Sequence, residues 1–212
     1  MTKKEQAKQI FKILAQQNPH PATELNFKTP WQLLVATILA AQSTDKQVNK
    51  VTANLFRDYP EPADMAALTE NELAEKIKTL GLYRNKSKHL IATAREIVNK
   101  YNGEVPQTLA ELQSLPGVGR KTANVVLANA FGIPALAVDT HVFRVANRTG
   151  LVKAKTPEQT EKQLTDIIPQ ERWCEAHHWL ILHGRYTCKA RNPQCSSCSI
   201  AEYCKYNTTQ QD

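Results

Sequence analysis

The chain has 212 residues, 42% of them hydrophobic, enough to bury one large core or two modest ones. Its 27 basic and 20 acidic residues give a formal charge of +7 and a pI near 9.2, a balance that suits a polyanionic partner such as nucleic acid without requiring one. No apolar run approaches the roughly 18 residues that cross a bilayer, and the opening Met1-Thr2-Lys3-Lys4-Glu5-Gln6 lacks the apolar core of a signal peptide, so the chain is read as intracellular rather than membrane-bound or secreted.

Helical periodicity dominates from the start. Ala7, Ile10, Phe11 and Leu14 fall on one face of a helix. Thr29-Pro30 supplies a cap and a first-turn proline for residues 31–41, apolar almost all round and therefore the expected central helix of a bundle, with Gln42 as a helix-end amide. Thr69 with Glu72, and Thr108 with Glu111, have the spacing at which hydroxyl and acid reciprocally satisfy the open NH groups of a helix start. Gly81, Gly103 and Gly132 stand where helical patterns end and are expected in left-handed terminating positions, while the neighbouring Leu82 reads as a core leucine. Thr156-Pro157 opens a further helix that Pro169 closes, and only residues 134–138 read as extended. The fold class is all-α.

Between two of these helices lies Leu115-Pro116-Gly117-Val118-Gly119, followed by Arg120-Lys121-Thr122-Ala123. Without a Cβ at Gly117 or Gly119, backbone NH groups at the next helix start can approach a phosphate oxygen, which the helix dipole favours. Such a turn grips a nucleic-acid backbone without reading bases, although Pro-Gly-X-Gly alone is an ordinary helix connection. Lys121 follows in the first turn, where an unprotonated amine is a nucleophile for a sugar carbon; alone it reads equally as a solvated helix lysine. Asp139 precedes Val142, Val145 and Ala146, the inward face of another helix, and fits an N-cap that also fixes a carboxylate at a helix start.

Four of the five cysteines crowd at the C-terminal end as Cys188, Cys195, Cys198 and Cys204, with one Cys-x-x-Cys step. Such clustering argues for a metal or cluster site over disulfides, and composition leaves zinc and iron-sulfur both open. Lys189 and Arg191 sit in the loop between the first two cysteines, where flanking ligands would hold them toward a phosphate backbone. Cys174 stands outside the spacing and reads as a small core residue.

Taken together, the 115–123 hairpin, Val138-Asp139-Thr140-His141, the cysteine spacing, residues 39–45, Gly81-Leu82-Tyr83 and residues 178–185 resemble the helix-hairpin-helix DNA glycosylases, in particular the iron-sulfur-bearing endonuclease III family, over nearly the whole chain. The resemblance implies a bundle at residues 22–132 and a second helical domain from residues 1–21 and 133–212, flanking a DNA-binding cleft. It implies a [4Fe-4S] cluster on Cys188, Cys195, Cys198 and Cys204, and double-stranded DNA carrying damaged pyrimidines or abasic sites as partner. Leu115, Gly117, Gly119, Arg120, Lys189 and Arg191 would contact the DNA backbone, and Gln42 and Leu82 would fill the stack vacated by a flipped nucleotide. Lys121 would attack the sugar, expel an oxidised pyrimidine and nick the strand by β-elimination, with Asp139 assisting, as a bifunctional glycosylase and abasic-site lyase. Gln113 replaces the glutamate that some members carry two residues before the hairpin leucine; an amide there still hydrogen-bonds a base. A monomer in the bacterial cytoplasm, associated with the nucleoid, is expected. An adenine or mismatch glycosylase is disfavoured by Lys121, and a non-catalytic DNA-binding module would use that lysine only as a phosphate contact.

Overall fold

The computed structural model describes residues 1–208, which form helices and loops with no strand among them. The chain divides into two compact units, one of Thr23–Ile133 and one of Met1–Ala22 with Pro134–Asp212. Helix α1 (Lys3–Gln17) starts with a capping box between Thr2 and Glu5 and buries Ala7, Ile10, Phe11 and Leu14. That face packs within the terminal unit, with Phe11 6.0 Å from the Trp179 ring, while Gln6 donates to the carbonyls of Thr149 (2.9 Å) and Tyr203 (2.7 Å).

The central unit holds α2 (Pro30–Leu39), α3 (Asp45–Asp58), α4 (Pro62–Ala66), α5 (Glu70–Ile77), α6 (Tyr83–Tyr101), α7 (Leu109–Ser114) and α8 (Arg120–Phe131). Thr29 caps α2 by accepting from the Gln32 NH, and every residue from Trp31 to Leu39 is buried against α3, α6 and α8. Each fully buried leucine there, such as Leu33 or Leu34, contributes about 1.5–3 kcal/mol by leaving water. The longest helix, α6, packs on α4 and α5.

Two local expectations change. Gly81 lacks a left-handed φ; Leu82 takes it instead, at φ 55°, as the N-cap of α6, and with 53% exposure it is no core residue. At the other end of α6 the terminating turn begins at Asn102 (φ 52°) and continues through Gly103 (φ 84°), while Gly132 ends α8 at φ 65° as read from the sequence. Thr108 starts α7, but Glu111 receives the Thr108 hydroxyl (2.6 Å) instead of closing a full capping box.

The terminal unit adds α9 (Thr140–Thr149), α10 (Pro157–Ile167), α11 (Trp173–Tyr186) and the short α12 (Lys205–Thr208). Residues 135–138 are buried but belong to no strand; the Ala137 carbonyl accepts from His177 Nδ1 at 2.8 Å. Gly184 lets α9 and α11 meet closely, since a Cβ there would lie 2.9 Å from His141 Cβ and 3.1 Å from Val145 Cγ2. No helix among the described residues is long and apolar enough to cross a membrane.

His178 on α11 is buried, and loss of solvation pushes its pKa down to about 4 from 6.5. Between those values the unfolded chain binds a proton that the folded chain refuses, so stability falls as pH falls through the window and is independent of this group above it. Urea unfolding between pH 6 and pH 5 is expected to show a loss of about 1 kcal/mol per pH unit that His178→Phe removes.

Candidate functional site

The hairpin between α7 and α8 is built from its two glycines in different ways. Leu115 is buried and its carbonyl accepts from the Val118 NH at 3.1 Å, closing a tight turn. Gly117 needs glycine twice over: its φ is 75°, and a Cβ would lie 2.8 Å from His89 of α6. One helical turn further along α6, the Thr93 hydroxyl donates to the Pro116 carbonyl at 2.7 Å. The fit against α6 by itself is enough to require glycine at 117.

Gly119 is the open position. It is exposed, a Cβ there would meet nothing within 4 Å, and as N-cap of α8 it brings no side-chain cap. Every helix from α1 to α10 other than α4, α6 and α8 begins with a threonine or aspartate side chain bonded over its end. The first turn of α8 thus lies beside unobstructed space, with Arg120 exposed and Lys121 half-buried immediately after it. An oriented helix end without a side-chain cap is suited to an anion.

A second group of predicted residues meets elsewhere in the same unit. Gln42 and Leu82 both hold left-handed backbones, φ 53° and 55°, and both are exposed. Each costs about 1–2 kcal/mol relative to ordinary φ. Their turns touch, because a Cβ at Gly81 would lie 3.4 Å from the Gln42 carbonyl oxygen. Strained residues retained at adjacent exposed turns mark a place where side-chain direction matters more than local stability.

In the terminal unit, Asp139 is the N-cap of α9 and half-buried. Its Oδ1 accepts from the NH groups of His141 (2.9 Å) and Val142 (2.8 Å), and Oδ2 has no hydrogen bond among the described residues. One oxygen therefore fixes the carboxylate while the other stays available.

Cys188, Cys195, Cys198 and Cys204 line one pocket, together with His183 and Thr149. No three His, Cys, Asp or Glu side chains among the described residues stand at the spacing that would hold a single metal ion. Burial pushes the thiols of Cys198 and Cys204 up, a cost that a cationic centre bound by the thiolates would offset. Arg148 donates to Cys188 Sγ at 3.6 Å, and His183 Nε2 lies 3.6 Å from Cys198 Sγ. This donor set fits an iron-sulfur cluster held by four thiolates.

Two arginines that sequence reasoning missed hold the cysteine loop. Arg144 donates to the carbonyls of Gly184 (2.8 Å) and Cys188 (3.0 Å), and Arg148 to those of Lys189 (2.7 Å) and Ala190 (3.0 Å). Their i,i+4 spacing on α9, opposite Val142, Val145 and Ala146, was the available signal. Lys189 and Arg191 project from this loop, both exposed.

The sequence profile of the HhH-GPD superfamily of base excision DNA repair proteins matches residues 35–170, and that of the iron-sulfur binding domain of endonuclease III matches residues 188–204. Endonuclease III of Escherichia coli (strain K12) is 52% identical over 198 residues, covering 93% of this chain and 94% of that protein. Endonuclease III of Haemophilus influenzae is 50% identical with the same coverage. Among solved structures, a trapped endonuclease III–DNA covalent intermediate superposes with a TM-score of 0.95 at 45% identity, covering all of both chains. A thermostable thymine-DNA glycosylase follows at 0.83 and 26%, covering 97% of this chain and 98% of that one.

The two hairpin glycines are expected to respond unequally in urea unfolding. Gly117→Ala combines a left-handed φ with overlap on His89 and loses about 2–5 kcal/mol, whereas Gly119→Ala loses about 1 kcal/mol, the ordinary cost of alanine at an N-cap.

Proposed function

The chain belongs to the HhH-GPD superfamily of base excision DNA repair proteins, and from that membership we propose how its residues divide the work of a bifunctional DNA glycosylase and abasic-site lyase. The protein removes oxidised pyrimidines from duplex DNA and nicks the strand 3′ to the resulting abasic site, as its endonuclease III relatives and the solved covalent DNA complex support. It carries a [4Fe-4S] cluster. The assignment of the nucleophile is carried by one observation: Lys121 stands in the first turn of α8, directly behind the open N-cap at Gly119.

The hairpin receives a DNA phosphate against the start of α8, with Gly119 giving it room and Arg120 adding a positive charge. Leu115 anchors the turn from below, and the exposed Gly117, held by its fit on α6, offers its backbone to the same phosphate. The nucleotide leaves the stack, and Gln42 and Leu82 occupy the vacated space; their exposure and fixed left-handed turns support that use. Lys189 and Arg191 add phosphate contacts from the cysteine loop.

Chemistry begins when the unprotonated Lys121 amine bonds to C1′ as the bond from C1′ to the base nitrogen breaks, and the base departs with its electron pair and takes up a proton. Sugar-ring opening then yields a Schiff base. Removal of a C2′ proton drives electrons toward C3′, the C3′–O bond breaks, and the 3′ phosphate leaves; water hydrolyses the Schiff base and returns the amine. Asp139, through Oδ2, accepts the amine's proton and stabilises positive charge developing at the sugar. Cys188, Cys195, Cys198 and Cys204 hold the cluster, which supplies a four-point anchor for the loop and no step of this reaction. A monomer working on nucleoid DNA in the bacterial cytoplasm completes the proposal.

Borohydride reduction on thymine-glycol duplex is expected to trap the native protein and not Lys121→Ala, with duplex binding retained by both. Asp139→Asn keeps the cap, since the amide oxygen still accepts from His141 and Val142, yet it slows single-turnover cleavage by roughly 10²–10⁴-fold. Equal cleavage by Lys121→Ala would contradict the mechanism.

A further inference from the structure

Lys86 is among the least expected side chains of the central unit. It is 4% exposed and stands in the first turn of α6, the positive end of the helix, where no acidic residue accompanies it. Burial alone lowers its affinity for a proton, so an apolar residue of similar length would sit there at less cost. What a methylene chain ending in a donor achieves is reach. Its backbone NH donates to the Leu82 carbonyl at 3.0 Å, and its Nζ donates to Ser43 Oγ at 3.0 Å, next to Gln42. A second link joins the same two turns where Gly81 approaches the Gln42 carbonyl, and a third runs from Gln47 Nε2 to Thr79 Oγ1 at 3.0 Å. Lys86 is the buried member of this set, bonded to the Leu82 carbonyl and to the residue that follows Gln42.

We propose that Lys86 is a positioning residue that joins the Gln42 and Leu82 turns into one rigid unit, so that both side chains enter the duplex together as the nucleotide leaves it. The inference rests on the reading of Gln42 and Leu82 as the residues that fill the vacated stack. With the link broken, each turn relaxes from its left-handed backbone separately, and displacement of the nucleotide becomes the affected step.

The test compares strand nicking at an abasic site in duplex and in single-stranded DNA, using the cluster-loaded protein. Single strands need no stack to be filled, so the ratio of the two rates isolates the wedge from the chemistry. Lys86→Met is expected to lower the duplex rate by roughly three- to tenfold, the factor corresponding to one hydrogen bond, with the single-strand rate unchanged. Ser43→Ala is expected to shift the ratio in the same direction and serves as the deciding variant if Lys86→Met does not fold. Parallel loss on both substrates, or no change on either, would overturn the proposal. Leu82→Ala and Gln42→Ala are measured alongside. If these leave the ratio unchanged, the stack-filling reading fails and the proposal with it; if they lower it while Lys86→Met and Ser43→Ala do not, only the link fails.

Discussion

The central unit depends on the fit of α6 against its neighbours, most tightly where His89 leaves no space for a side chain at Gly117. That contact, with the Thr93 hydroxyl on the Pro116 carbonyl one turn later, sets the hairpin and hence the start of α8 with Lys121. The same helix begins at Leu82, so the exposed leucine and the hairpin share one rod. Seven residues from Leu82 to His89 correspond to about 10 Å of helix rise, a spacing that side-chain fluctuation cannot change. A rigid element between two working loops positions groups better than either loop alone.

In the terminal unit α9 has the same design. It starts at the cap Asp139, its first two turns meet Gly184 through His141 and Val145, and its second and third turns carry Arg144 and Arg148 into the cysteine loop. The cysteine loop is thus braced against the helix that holds the carboxylate. This gives a structural cluster a consequence for chemistry without any electron transfer: loss of the loop would free the far end of α9. Arg148 also stacks over Tyr206, 4.8 Å from its ring, extending the brace to the last described helix.

Much of this architecture is local in origin, and that part was legible. The apolar face of α1, the all-buried α2, and the Thr29, Thr69, Thr108, Asp139 and Thr156 caps all follow from spacing and hydrogen-bond chemistry within a few residues. The tight turn before α8 was equally plain from its proline and glycines. What sequence periodicity could not show is non-local. Leu82 resembled any core leucine because nothing local to it signals a left-handed backbone, or that the turn beside it lies against Gln42 some forty residues earlier in the chain. The histidine on α6 that packs against Gly117 left no local trace either. Arg144 and Arg148 looked like a solvated stripe until the loop they grip was in place. Polar residues that serve distant backbone carbonyls carry no local signature, whereas caps and apolar faces do.

In the proposed mechanism Lys121 is the amine that bonds to the sugar. Proteolytic digestion and mass spectrometry of the borohydride-reduced DNA adduct tests this directly, by locating the modified residue. A deoxyribose remnant on the peptide containing Lys121 is the predicted result. An adduct on another lysine, or on the amino group of Met1, would contradict it and reassign the chemistry to a different part of the fold.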